Sequence, residues 1–206
     1  MQLPVEATEK AKDLVRMAVY KARGLEPLVT AKLGVTKSAL VIGGGMAGMA
    51  AALSLAFQGF PVAIVEKEKE LGGNARHLHY ILESDRLQEK LAEVITRVRS
   101  HPHISVYTGS EVENVQGFVG NFVSTISSPQ GKVEIKHGVI IVATGAKELE
   151  TDEYLRGSDP RVITQRELET KIASGALGSG GRPERVVMIQ CVGSRNDERP
   201  YCSRYC

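Results

Sequence analysis

The chain has 206 residues, 42% of them hydrophobic, with 26 Lys and Arg against 24 Asp and Glu. That balance is ordinary for a globular protein and long enough for one full core, or for one and a half domains. It offers no basic tract for a nucleic acid, no run near the roughly 18 apolar residues that span a bilayer, and no secretory signal pattern at the N-terminus.

Along Glu6 to Arg23, Ala7, Ala11, Leu14, Val15, Ala18, Val19 and Ala22 fall at helical spacing, with charges on the other face. Gly24 ends this helix, and Leu25 to Lys37 is a connector containing Pro27 and Gly34. The helix is expected to pack outside the domain that follows, or to be the tail of an upstream one.

Ala39-Leu40-Val41-Ile42 then runs straight into Gly43-Gly44-Gly45-Met46-Ala47-Gly48. A buried strand, a glycine turn and a helix in this order hold a dinucleotide by its pyrophosphate. Gly43 allows the tight turn, Gly45 lets backbone approach the phosphates, and Gly48 lets the helix lie close to the strand. Amides at the helix start, aided by its dipole, face the anion. Met49 to Phe57 favours helix, Gly59 ends it, and Pro61 to Val65 reads as a second buried parallel strand. It ends at Glu66, 23 positions after Gly43, where a ribose-binding acid is expected. Its charge also argues against a 2′-phosphate.

Leu71-Gly72-Gly73-Asn74 is a loop. Asp85 can cap a helix striped by Leu87, Leu91, Val94, Ile95 and Val98. Ile104 to Tyr107 is a short strand; Glu111 to Val115 and Asn121 to Ile126 form a hairpin around Gly117 and Gly120, with Lys132 to Lys136 as a third strand. Gly138 to Gly145 is read as another buried strand ending in the turn Ala143-Thr144-Gly145. Thr164 and Glu167 form a capping box for a helix to about Ile172, and Gly175 to Gly181 is a linker of small residues. Arg185 to Gln190 is read as the start of a further apolar strand. The fold class is therefore α/β: a Rossmann-type βαβ core with a small antiparallel β insertion, preceded by a helix and followed by a truncated second domain. The boundaries fall at 1–36, 37–150, 151–182 and 183–206.

Glu66-Lys67 before the glycine pair, the hairpin segment and the Ala-Thr-Gly strand together resemble the FAD-binding half of the two-dinucleotide-binding-domain flavoproteins, such as thioredoxin reductase. The resemblance covers roughly Lys37 to Lys147. It implies FAD, with Gly72 and Gly73 beside the cofactor and Ala143, Thr144 and Gly145 closing over its nucleotide portion. Met46, Ala47, Lys67, Asn74 and Val112 complete the candidate cofactor contacts. The plainer readings are a simple loop at the glycine pair and a simple strand end at Ala143. Arg76 is a candidate phosphate contact or a solvated residue. His77 and His79 follow the glycine pair and are candidates to approach the flavin in a redox role, or loop histidines that are solvated or pair with backbone. His101 and His103 bracket Pro102 in a surface turn.

All three cysteines lie in the last sixteen positions, which is no disulfide framework and fits a reducing cytoplasm. Cys191-Val192-Gly193-Ser194-Arg195 carries one glycine, so a second dinucleotide turn is not supported, and Cys202 and Cys206 are not a C-x-x-C pair. Thiolates beside arginines suit an iron–sulfur cluster; free thiols or zinc are the alternatives. Cys-x-Gly-Ser-Arg followed by Tyr-Cys-Ser-Arg-x-Cys is similar to the FAD-containing iron–sulfur subunit of heterodisulfide reductase, and the N-terminal helix resembles the segment before its flavin domain. That resemblance implies a [4Fe-4S] cluster on Cys191, Cys202 and Cys206, with a fourth cysteine just after the end of this sequence. It also implies partner subunits and electron-carrier proteins. As an excerpt, the 206-residue chain is expected to bind FAD weakly. Two other readings stay open: a truncated NAD(P)H-dependent flavin disulfide reductase, and a non-catalytic nucleotide-binding assembly module.

Overall fold

A computed structural model of the chain describes residues 4–27, 30, 32–82, 86–176, 185–193 and 195–197. It divides into two units, residues 1–34 and 35–206. In the first, helix α1 (Pro4–Arg23) carries Glu9–Lys12 and Asp13–Arg16 ion pairs on its surface, and none of its residues is buried. Such exposed pairs contribute only a few tenths of a kcal/mol, about 0.3–0.5 each.

The second unit begins with β1 (Ala39–Ile42), α2 (Met46–Phe57), β2 (Val62–Glu66), α3 (Leu87–Ser100) and β3 (Ile104–Thr108). Three antiparallel strands follow, β4 (Glu111–Phe118), β5 (Asn121–Ser128) and β6 (Gly131–His137). The chain then returns to the first sheet as β7 (Val139–Val142) and ends its described helices with α4 (Gln165–Ala173). The first sheet is wholly parallel, in the order β3-β2-β1-β7.

Alternation along the central strands builds two cores from one sheet. Leu40 stands between Ala63 and Ile140, and Val41 between Ile64 and Ile141. Because successive side chains leave opposite faces, Ala39, Val41, Val62 and Ile64 pack with Met49, Ala52, Leu53, Leu91 and Val98 of the helices. Leu40, Ala63 and Val65 pack on the other face with Ile126 of β5. A strand covered on both faces needs an unbroken apolar run, which is what β1 and β2 carry. Each fully buried large side chain stabilises the fold by about 1.5–3 kcal/mol.

The α3 stripe is present, with Leu87, Leu91 and Val98 buried and Val94 and Ile95 packed against the core. The expected cap Asp85 lies outside the described residues; Arg86 occupies the N-cap position, without a side-chain cap. The Thr164–Glu167 capping box of α4 is formed in both directions, at 3.2 and 2.9 Å.

Two expectations are corrected. The β7 strand is not buried but lies at the sheet edge, with Val139 and Val142 exposed, because no described element covers its outer side. Residues 185–190 form no strand: Val186, Val187, Met188 and Ile189 are exposed, since no described chain offers them a ladder of hydrogen bonds. The linker at 177–181 lies outside the described residues. No described helix is long and apolar enough to cross a membrane.

Candidate functional site

Three glycine-containing segments meet at the carboxyl ends of β1, β2 and β7, where ligands bind in open parallel sheets. Gly43 leaves β1 with φ +108° and donates its N–H to Val65 O at 2.8 Å. A β-carbon there would overlap the Ala143 carbonyl, so the first glycine turn and the Ala143-Thr144-Gly145 turn abut directly. A β-carbon on Gly48 would overlap the Gly43 carbonyl oxygen, which explains why α2 can lie so close to β1. On the other flank, Gly72 N donates to Gly44 O at 2.8 Å and bridges to Gly45. A β-carbon on Gly73 would stand 3.2 Å from Gly45 Cα.

Gly45 is the exception. Its backbone is extended, it caps α2 without a side-chain hydrogen bond, and a β-carbon on it would meet no atom of the described residues beyond its chain neighbours within 4 Å. The first-turn amides of α2 therefore lack side-chain partners beside open space, the arrangement that receives an anion.

Glu66 ends β2 with a buried carboxylate. Its Oε2 accepts from Gly44 N at 2.6 Å and its Oε1 from Glu68 N at 2.8 Å. The charge is thus satisfied by backbone amides, as a buried carboxylate requires. Motif reasoning gives Gly44 no role, yet a β-carbon there would strike Leu71 and Glu66. Its signal in the sequence is its place as the middle glycine of Gly43-Gly44-Gly45.

These segments line a cleft of about 1720 Å³. Gly43, Gly45, Met46, Ala47, Glu66 and Lys67 form one part of its wall, and Gly72, Gly73, Asn74, Ala143, Thr144 and Gly145 another. Two candidates lie outside the lining. Gly48 serves the helix–strand contact, and the Val112 side chain packs against the core of Leu40, Ala63, Val65 and Ile126. The volume exceeds the roughly 300–1,000 Å³ of a drug-sized pocket and leaves room for an extended dinucleotide.

The far wall comes from the segment after β7. Asn74 Nδ2 donates to Ala146 O at 2.8 Å, and Asn74 Oδ1 accepts from Arg166 Nη2 at 2.7 Å. Glu169 Oε1 accepts from the backbone N–H of His79 at 2.5 Å and of Tyr80 at 2.9 Å, and these bonds lower its pKa. Glu167 is likewise held below the usual carboxylate range, first by the Thr164 amide and then by Arg156. Arg76 is turned to Glu70 and Leu71 O.

Other histidines have structural partners. His101 Nδ1 accepts from His103 N at 3.2 Å, and its ring meets Phe57 edge-on at 5.2 Å. The buried His137 shares Nε2 with Ser124 Oγ at 2.8 Å and points Nδ1 at Val139 O, 3.1 Å away. A carbonyl can only accept, so Nδ1 carries the proton and Nε2 accepts from the serine hydroxyl. Burial lowers this imidazole's pKa.

Cys191 is exposed, with φ +61°. Its neighbour Gly193 packs beside the cleft-lining segment: a β-carbon there would be 3.1 Å from Leu149 and 3.4 Å from Glu153. Cys202 and Cys206 lie outside the described residues, and no metal-holding group of three ligands occurs among the described residues.

The family model described as pyridine nucleotide-disulphide oxidoreductase matches residues 37–189. The chain belongs to that oxidoreductase family. An iron-sulfur subunit of CoB–CoM heterodisulfide reductase from Methanopyrus kandleri is 36% identical over all of this chain and 45% of its own length. The homologous subunit of the H2:CoB-CoM heterodisulfide,ferredoxin reductase of Methanothermobacter marburgensis is 34% identical over the same shares. The similarity to these heterodisulfide reductase subunits thus extends along the whole chain, which spans less than half the length of these curated relatives. The alignment to the first runs over 296 positions against 206 residues here, so at least 90 of its positions have no counterpart in this chain. L-proline dehydrogenase from P. horikoshii has the same fold, at TM-score 0.50 and 23% identity over 61% of this chain and 26% of its own.

Proposed function

We propose that this chain is the FAD-binding portion of an iron–sulfur flavoprotein oxidoreductase of the heterodisulfide reductase type. The observation that carries the reading is the join at Gly44 and Gly45. Glu66 and the glycine pair fix the turn from either side, while the side of Gly45 where a β-carbon would point is open among the described residues. In this reading Gly43, Gly45, Met46 and Ala47 present amides to the pyrophosphate, Glu66 takes the adenosine ribose, and Lys67, Gly72, Gly73 and Asn74 border the cofactor. Ala143, Thr144 and Gly145 close over the nucleotide, and Val112 supports the sheet beneath the cleft. Bound FAD supplies one- and two-electron chemistry, and the protein supplies position, charge and shelter from water.

The relatives' name, iron-sulfur subunit, supports the second half of the proposal. Cys191, Cys202 and Cys206 provide three of the four thiolates that a [4Fe-4S] cluster takes. Packing of Gly193 on the cleft-lining Leu149 supports a place for the Cys191 segment beside the cofactor cleft. The partners are the other subunits of such a complex and soluble electron carriers in the cytoplasm. A second dinucleotide site for NAD(P)H has less support, because Gly193 is the only glycine after the 185–190 run.

Titration of the anaerobically purified chain with FAD, followed by flavin fluorescence, tests the cofactor. Saturable one-to-one binding is expected, and failure to bind FAD or any other adenine dinucleotide overturns the proposal. Reconstitution with iron and sulfide, read by visible and paramagnetic resonance spectra, tests the cluster in a version extended beyond Cys206. Absence of a cluster signal there removes the iron–sulfur half alone.

A further inference from the structure

Helix α4 contributes Arg166 to the cleft wall, though nothing in its sequence marks it as part of a nucleotide site. Arg166 is of intermediate exposure, and its guanidinium is held at the cleft surface by a neutral partner, the exposed Asn74, whose Oδ1 accepts from Nη2 at 2.7 Å. Asn74 is itself pinned to Ala146 O by its amide, and its chain neighbour Gly73 lies against the bare Gly45. One hydrogen bond and two residues thus separate the Arg166 charge from the turn where amides face open space.

The other two arginines on the cleft wall are already compensated. Arg76 pairs with the Glu70 carboxylate, and Arg156 pairs with Glu167 at 2.7 Å. Arg166 has no carboxylate partner among the described residues. Glu169, one helical turn on, faces the His79 and Tyr80 amides and so anchors α4 without neutralising it. A guanidinium with spare N–H groups, aimed by an amide oxygen, is complementary to a phosphate oxygen.

We propose that Arg166 is a cofactor-binding residue: steered by Asn74, its guanidinium pairs with the diphosphate of the bound adenine dinucleotide and clasps α4 over it. The inference rests on the reading of the cleft as a dinucleotide site. It makes the helix after β7 part of the phosphate subsite and assigns the neutral Asn74 bridge the task of keeping the cation unneutralised until the anion arrives.

Calorimetric titration of the full 206-residue chain with ADP and with adenosine separates charge from shape, since only ADP carries the diphosphate. In Arg166→Met, ADP is expected to bind at least about tenfold more weakly, the value of one charge-assisted hydrogen bond, with adenosine changed less than about twofold. Arg166→Lys, which keeps the charge, recovers part of the loss, and added salt weakens ADP binding more in wild type than in Arg166→Met. Equal weakening of ADP and adenosine makes Arg166 mere packing and overturns the inference, as does unchanged ADP affinity. Should Arg166→Met fail to fold, the same comparison on Arg166→Lys and on wild type across salt decides it: ADP affinity that ignores salt overturns it. A wild-type chain that binds neither probe rejects the dinucleotide reading itself.

Discussion

Two glycines three positions apart in the same turn should respond oppositely to one added methyl group. At Gly48, a β-carbon would overlap the Gly43 carbonyl oxygen and approach Val41 Cγ1 at 3.3 Å. Both neighbours belong to the central strand or its turn, so α2 must move outward from a core that includes Met49, Ala52 and Leu53. Overpacking of that kind costs about 2–3 kcal/mol. For a unit of this size each kcal/mol lowers Tm by about 2–4 °C, so Gly48→Ala should melt about 5–10 °C below wild type. At Gly45 the methyl group meets no atom of the described residues beyond its chain neighbours, and φ −74°, ψ −177° is a conformation alanine adopts freely. Loss of the glycine N-cap costs about 1 kcal/mol, largely offset by about 0.4–1 kcal/mol from restricting the unfolded chain. Gly45→Ala should therefore melt within a few degrees of wild type. It should nevertheless lose FAD affinity by about tenfold or more, because the methyl group occupies the approach to the turn amides. Thermal unfolding by circular dichroism without ligand, paired with FAD titration, reads both. A Gly45→Ala protein that binds FAD like wild type, or melts as low as Gly48→Ala, refutes the assignment of this face to the cofactor.

Glu66→Ala strands the Gly44 and Glu68 amides and should cost about 2–4 kcal/mol in urea unfolding, with FAD binding lost. Leu91→Ala, deep in the helix-side core, should cost about 2–5 kcal/mol by the same measurement. Thr164→Ala removes the α4 cap and should cost about 1 kcal/mol, visible as faster amide exchange across residues 165–173. For His137, burial lowers the folded pKa, so the unfolded chain takes up the proton first. Its contribution to stability should be whole above about pH 6.5 and decline as pH falls toward the lowered folded value. Chemical denaturation across pH 5–8 checks this; His137→Phe should flatten the slope, and an unchanged slope assigns it to another group.

Local chemistry carried most of the fold. The β1–α2–β2 unit could be read because an apolar run, a glycine turn and an alanine-rich helix each have their own period, and Glu66 follows at the spacing expected of a ribose-binding acid. The α3 stripe, the hairpins around Gly117 and Gly120, and the Thr164 capping box are equally short-range signals. What stays hidden depends on distant partners. The Asn74–Arg166 bond joins residues 92 positions apart, and no periodicity announces it. Gly44 acts through a backbone amide that every residue type except proline possesses, so only its lack of a side chain marks it. The β7 strand has the same apolar composition as β1, but burial follows from position in the sheet order, which composition does not encode. Val186 to Ile189 has strand composition and no ladder to join.

Both oxygens of Glu66 are engaged by the protein's own backbone, and the glycine loops are stitched to each other through Gly44 and Gly72. The mould therefore sets during folding rather than on encounter with its guest. Little ordering entropy remains to be lost when a nucleotide enters, so association should be fast and the backbone of the empty and filled forms nearly superimposable.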